Sequence, residues 1–211
     1  MKLDPRIIQA IRRRLQYYDP HVQIPAEDFK ALKDLSINNS TGKNDKGDID
    51  LTNIGNLWML ESLSLTGFAL TEKEVEEISK MKSLKRLSLI DCTGERVQLP
   101  NLDSLQINGG TFSDISFSKL PKEYMILGFQ GENIENYIEA EDPTTMESLT
   151  VISSKVSSLD ILDRTPKLKK LSLLGNTLPS NADARIDSLA KRGVKVDKKD
   201  QHTPMESGRS V

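Results

Sequence analysis

Aromatic residues are scarce in this chain of 211 residues. They make up 5% of it, so a sizeable core has to be built from Leu, Ile and Val instead of rings. Cys92 is the only cysteine, which excludes an intramolecular disulfide. The two histidines, His21 and His202, stand near opposite ends. They offer no cluster for an ordinary His-based metal site and no base near Cys92 in the sequence. Neither sign of charge dominates: 29 basic residues against 31 acidic ones give a formal net charge of −2. That balance speaks against the basic footprint of a nucleic-acid-binding domain. No run approaches the roughly 18 apolar residues of a membrane span. The opening Met1-Lys2-Leu3-Asp4-Pro5-Arg6 lacks the apolar stretch of a secretory signal. The expected location is the cytoplasm, with export that needs no recognisable signal peptide as the alternative. Gly-rich phosphate loops are also missing, so neither cofactor nor metal is expected, and the chain is not expected to be an enzyme.

What the chain has is a recurring pattern. Leu-x-x-Leu-x-Leu occurs as Leu32, Leu35, Ile37, then as Leu60, Leu63, Leu65, as Leu84, Leu87, Leu89 and as Leu102, Leu105, Ile107. A degenerate copy is read at Tyr124, Leu127, Phe129, followed by Met146, Leu149, Val151 and by Leu168, Leu171, Leu173. The second position steps through 35, 63, 87, 105, 127, 149 and 171, ending in three equal steps of 22. Further apolar residues recur behind the motif, at Leu70, Phe112, Val156 and Leu178. Such a period reads as one coil per repeat. A short strand with alternating side chains lies on one face, and the chain returns along the other through turns of varying length. Each coil leaves an apolar edge that the next one covers.

Period and internal pattern together resemble the leucine-rich-repeat family, and the 22-residue units are most similar to those of bacterial internalins. The resemblance covers roughly residues 30–180. It implies an α/β solenoid: a horseshoe of about seven coils with a parallel concave sheet, a helical N-terminal cap and a short C-terminal cap. The chain departs from the family at the ninth motif place, usually Asn or Cys. Here that place holds Ser40, Phe68, Cys92, Gly110, Glu132, Ser154 and Asn176. Residues 1–29 are expected to form the N-terminal cap, with an amphipathic helix over 4–17 burying Ile7, Ile8, Ile11 and Leu15, and a second short helix after Pro25. The solenoid then spans 30–197 and ends in a helix from Asp183 to Lys191, a stop at Gly193 and a strand at Val194 to Val196. Residues 198–211 lack periodicity and are expected to be disordered.

In that pattern the residues between the leucines point away from the core. A central column reads Ser36, Ser64, Ser88, Gln106, Gly128, Thr150 and Ser172; its flanks include Arg86, Ile126 and Lys170 on one side and Ile90, Asn108, Gln130, Ile152 and Leu174 on the other. The candidate partner-binding residues are therefore Arg86, Ser88, Ile90, Gln106, Asn108, Gln130, Thr150, Ile152, Lys170, Ser172 and Leu174. Ile90, Ile152 and Leu174 are the sharpest signal, because an exposed apolar strip costs solvation unless a partner covers it. Three other features read as structural. Cys92 is expected as a buried turn residue, and Trp58 as packed under the polar insertion at residues 38–50. Asp45, Asp48 and Asp50 in that insertion lack calcium-loop spacing and read as solvated.

The expected function is a protein–protein interaction module, monomeric, binding an unidentified protein partner through the concave face. A bacterial secreted effector or surface-type protein acting on a host protein, and a purely structural solenoid, are the alternatives.

Overall fold

The computed structural model describes residues 2–39, 47–128, 138–199 and 201. Phe129, Gln130, Glu132, Ser40, Asp45 and residues 202–211 lie outside the described residues. The chain is an α/β fold with two parallel sheets and few helices. In chain order the strands are β1 (Asp34–Asn38), β2 (Gly47–Asp48), β3 (Ser62–Thr66), β4 (Phe68–Leu70), β5 (Arg86–Ile90), β6 (Thr93–Leu99) and β7 (Ser104–Asn108). They continue with β8 (Thr111–Lys119), β9 (Glu123–Leu127), β10 (Glu139–Asp142), β11 (Ser148–Ile152), β12 (Lys170–Leu174) and β13 (Lys195–Lys199). The first sheet has eight strands in the order β1-β3-β5-β7-β9-β11-β12-β13, and the second has five in the order β10-β8-β6-β4-β2. From β1 to β11 the chain thus alternates between the two sheets.

The leucine pattern is the cause of this arrangement. In β3, β7 and β11 alternate residues are buried, and the buried ones are the motif positions, such as Leu63, Leu65, Leu105, Ile107, Leu149 and Val151. The residues behind the motif, Leu70, Phe112, Val156 and Leu178, are buried as well. Each fully buried Leu or Ile contributes roughly 1.5–3 kcal/mol of transfer free energy before chain entropy is counted. The second sheet was not expected. Part of the return path is β-structure instead of turns, because Phe68-Ala69-Leu70, Val97-Gln98-Leu99 and Ile115-Ser116-Phe117 alternate with period two.

One register differs from the sequence reading. Leu105 pairs with Tyr124 and Ile107 with Ile126, so the fifth unit is Tyr124 and Ile126, not Leu127 and Phe129. Tyr124 and Ile126 are buried, and the Tyr124 ring meets Phe117 edge to face at 5.7 Å. The turn confirms the alignment. Gly109, Gly128 and Ser153 each follow a first-sheet strand with positive φ, at 62°, 61° and 50°. Each also donates its N–H to the last strand residue of the next unit, Gly128 to Ile152 at 2.9 Å. Gly128 is therefore a left-handed turn residue, not a member of the central column. The second motif position steps from Leu105 to Tyr124 and then to Leu149, so the equal steps of 22 before Leu149 were coincidental.

Two α-helices precede the first strand, one falls between β4 and β5, and one precedes the last strand. Helix α1 (Pro5–Arg14) starts at Asp4, whose carboxylate accepts the Arg6 N–H at 2.8 Å, and buries Ile7 and Ile11 toward β1. It ends before the expected residue 17, because Gln16 turns to φ 62° and Tyr17 donates its N–H back to Arg12. Helix α2 (Ala26–Ala31) leads into Leu32, α3 (Glu72–Ser79) opens with a capping box between Thr71 and Glu74, and α4 (Ala182–Lys191) stops at Gly193. The last strand runs on to Lys199, beyond the Val196 expected from apolar content, because its lysines lie on a sheet edge where charge is tolerated.

Candidate functional site

The first sheet buries one face in the core and leaves the other open. The ladder aligns three columns on that open face. One runs Asp34, Ser62, Arg86, Ser104, Glu123, Ser148, Lys170, Lys195, and the middle one Ser36, Ser64, Ser88, Gln106, Met125, Thr150, Ser172, Asp197. The third runs Asn38, Thr66, Ile90, Asn108, Leu127, Ile152, Leu174, Lys199. Serine fills the middle column on β1, β3 and β5, where a small polar side chain fits between neighbouring strands at little desolvation cost.

Ten of the candidate residues fall on this face: Arg86, Ser88, Ile90, Gln106, Asn108, Thr150, Ile152, Lys170, Ser172 and Leu174. Arg86 and Lys170 are exposed, Ser172 is buried between its neighbours, and the others are half-buried. Gln130 lies outside the described residues, and its register place is taken by Leu127. The corrected register changes the chemistry. Leu127, Ile152 and Leu174 now occupy the same place on three adjacent strands, with Met125, 37% exposed, beside them. Ile90 stands apart, with Asn108 between it and Leu127. Met125 and Leu127 were missed because a three-residue shift put Gly128 and Gln130 in their places; the glycine after each of β3, β7, β9 and β12 was the signal that fixes the frame.

A shallow depression of about 230 Å3 opens beside this strip, lined by Gln106, Glu123, Met125, Thr150 and Lys170 among others. At the other end of the face Arg14 from α1 makes a two-point contact with Asp34, at 2.6 and 2.7 Å. That guanidinium holds the Asp34 carboxyl below the usual carboxylate range.

Cys92 is buried, and its Sγ lies 3.4 Å from the Leu65 carbonyl oxygen, so it bonds the turn as expected. Trp58 is 59% exposed, contrary to the core role expected of it. The tight turn sends Leu57 and Leu60 into the core and thereby turns Trp58 and Met59 outward. Asp50 spends its carboxylate on the Thr52 N–H at 3.0 Å and on Lys73 at 3.1 Å. Among the described residues no group of three or more His, Cys, Asp or Glu is placed to hold a metal ion. No helix among them is long and apolar enough to cross a membrane.

No known family model matches the chain, and no curated protein matches it significantly.

Proposed function

We propose that the chain is a leucine-rich-repeat protein of about seven coils, shaped as a horseshoe, that captures a partner protein on the concave, open face of its first sheet without catalysing a reaction. The observation that carries this reading is the strip formed by Leu127, Ile152 and Leu174 with Met125 beside it. Apolar side chains on neighbouring strands of an open face are partner anchors, because covering them releases water that a polar column would hold. Thr150 and Gln106 next to the strip supply hydrogen-bonding groups, and Glu123 and Lys170 edge it with both signs of charge, with Arg86 two strands farther along the same column. That composition is an apolar centre with a polar rim, as in protein interfaces, and lacks the one-signed surface that binds nucleic acid. Cys92 supports the non-catalytic reading, since a thiol buried in a backbone turn is out of a substrate's reach.

The test is affinity capture with the immobilised chain, comparing wild type with Met125→Glu/Ile152→Lys and with Arg96→Glu on the second sheet. Circular dichroism first establishes that each variant is folded. A specific partner should be captured by wild type and by Arg96→Glu and lost with the double variant. A partner retained by the double variant moves the site off this face and refutes the reading.

A further inference from the structure

The open face ends at its β1 edge in a cleft of about 280 Å3 between α1 and the first strand. Its lining is Arg6, Gln9, Arg13, Arg14, Ser36 and Asn38, with Ala10, and includes no acidic residue. Two of the arginines are fixed by carboxylates set outside the lining. Arg6 is held by Asp4 through Nε at 3.0 Å and a terminal nitrogen at 2.7 Å, and its guanidinium also lies 5.4 Å from the centre of the Phe68 ring. Arg14 is held by Asp34. Arg13 is exposed and, among the described residues, has no carboxylate partner. The cleft thus has two guanidiniums locked in position, a third with its donors open to solvent, and the neutral hydrogen-bonding side chains of Gln9, Ser36 and Asn38.

We infer that this cleft receives a carboxylate side chain from an acidic peptide segment of the partner. The inference rests on the reading of the open face as the binding surface, and it names the chemistry that surface selects. The charge count favours a single carboxylate over a phosphate dianion, because Asp4 and Asp34 already balance two of the three arginine charges and Asp48 also lies within electrostatic reach of Arg6. Guanidinium forks match a planar carboxylate with paired N–H donors. Ser36 and Asn38 belong to the middle and third columns of the face, so the cleft and the apolar strip are parts of one surface. From Asn38 to Leu127 there are four strand intervals, or about 19 Å at the usual spacing of parallel strands. An extended segment covers that distance in about six residues. The recognised segment therefore carries Glu or Asp about six residues from its apolar anchor.

The test is a titration of the isotope-labelled chain at low salt, followed by amide NMR shifts, with acetyl-ESGSGSLL-amide and its neutral counterpart acetyl-QSGSGSLL-amide. Inorganic phosphate is titrated separately. The acidic peptide should shift the Arg13, Ser36 and Asn38 amides, and Arg13→Gln should weaken it about three- to tenfold, as loss of one exposed charge-assisted contact does. The neutral peptide should leave those amides unmoved. Equal binding of the two peptides, an unchanged affinity in Arg13→Gln, or phosphate binding more tightly than the acidic peptide would each overturn the inference. Shifts at Leu127 and Ile152 report the apolar strip separately. A peptide that moves them while the cleft stays silent sinks the cleft and leaves the face reading standing.

Discussion

Asn176 is fully buried, yet both ends of its amide are engaged. Its Oδ1 accepts the Ser154 N–H at 2.9 Å and its Nδ2 donates to the Val151 carbonyl at 2.8 Å, so one side chain ties two successive turns together. Cys92 makes the weaker version of the same contact with its thiol. Asn176→Ala removes both bonds from a buried site and is expected to destabilise the chain by roughly 2–4 kcal/mol, read as a lower urea midpoint with an unchanged slope. Asp50 makes a different kind of prediction. Hydrogen bonds from the Thr52 side chain and backbone, and then Lys73, lower its carboxyl from 3.8 to about 2. A depressed carboxyl favours the folded state above its ordinary value, and that contribution is lost as pH falls from about 4 to about 2. Because Asp50 is exposed, the effect on stability is small, and the direct check is the titration of its carboxyl carbon by NMR. A midpoint near 2 is expected, and one near 3.8 would mean that Thr52 and Lys73 do not hold it in solution.

At the scale of strands and turns, the parallel first sheet was legible because its cause is local. Leu63-Ser64-Leu65 or Leu149-Thr150-Val151 alternates within three residues, and burial follows that alternation directly. The fifth strand was misread because Leu127-Gly128-Phe129 imitates the motif while the true pair, Tyr124 and Ile126, carries an aromatic in the leucine place. The information was present in two patterns that a leucine count ignores. One is the left-handed turn residue at Gly67, Asp91, Gly109, Gly128, Ser153 and Gly175, immediately after each strand from β3 to β12 in the first sheet. The other is the charge one place before the strands: Glu61 pairs with Lys85, Asp103 with Lys122 and Glu147 with Lys169, at 3.3, 2.9 and 2.6 Å. Such exposed pairs add little stability each, but alternating signs on successive units penalise a slipped alignment. The site inherited the error: Ile152 and Leu174 were legible, whereas their neighbours Met125 and Leu127 depended on the register of one strand. Trp58 was illegible for a different reason, since only the geometry of the turn decides which of Leu57, Trp58, Met59 and Leu60 faces inward.

For the whole molecule, the strand order matters more than any one contact. In the first sheet each strand pairs with the strands of the preceding and following units, and β1 has α1 on its outer side. Energy in such an array is close to a sum of neighbour terms, so damage at one end should stay near that end. Ile7 and Ile11 are fully buried in the helix that covers β1. Ile7→Ala/Ile11→Ala removes several methyl and methylene groups from that contact, at about 2–5 kcal/mol per site. If the stability of the sheet is set locally, hydrogen exchange should accelerate in β1 and β3 and remain slow in β11 and β12. Uniform acceleration from β1 to β12 would show instead that both sheets unfold as one cooperative unit, with the alternation of the chain between them, from β1 to β11, carrying the loss at α1 across the molecule.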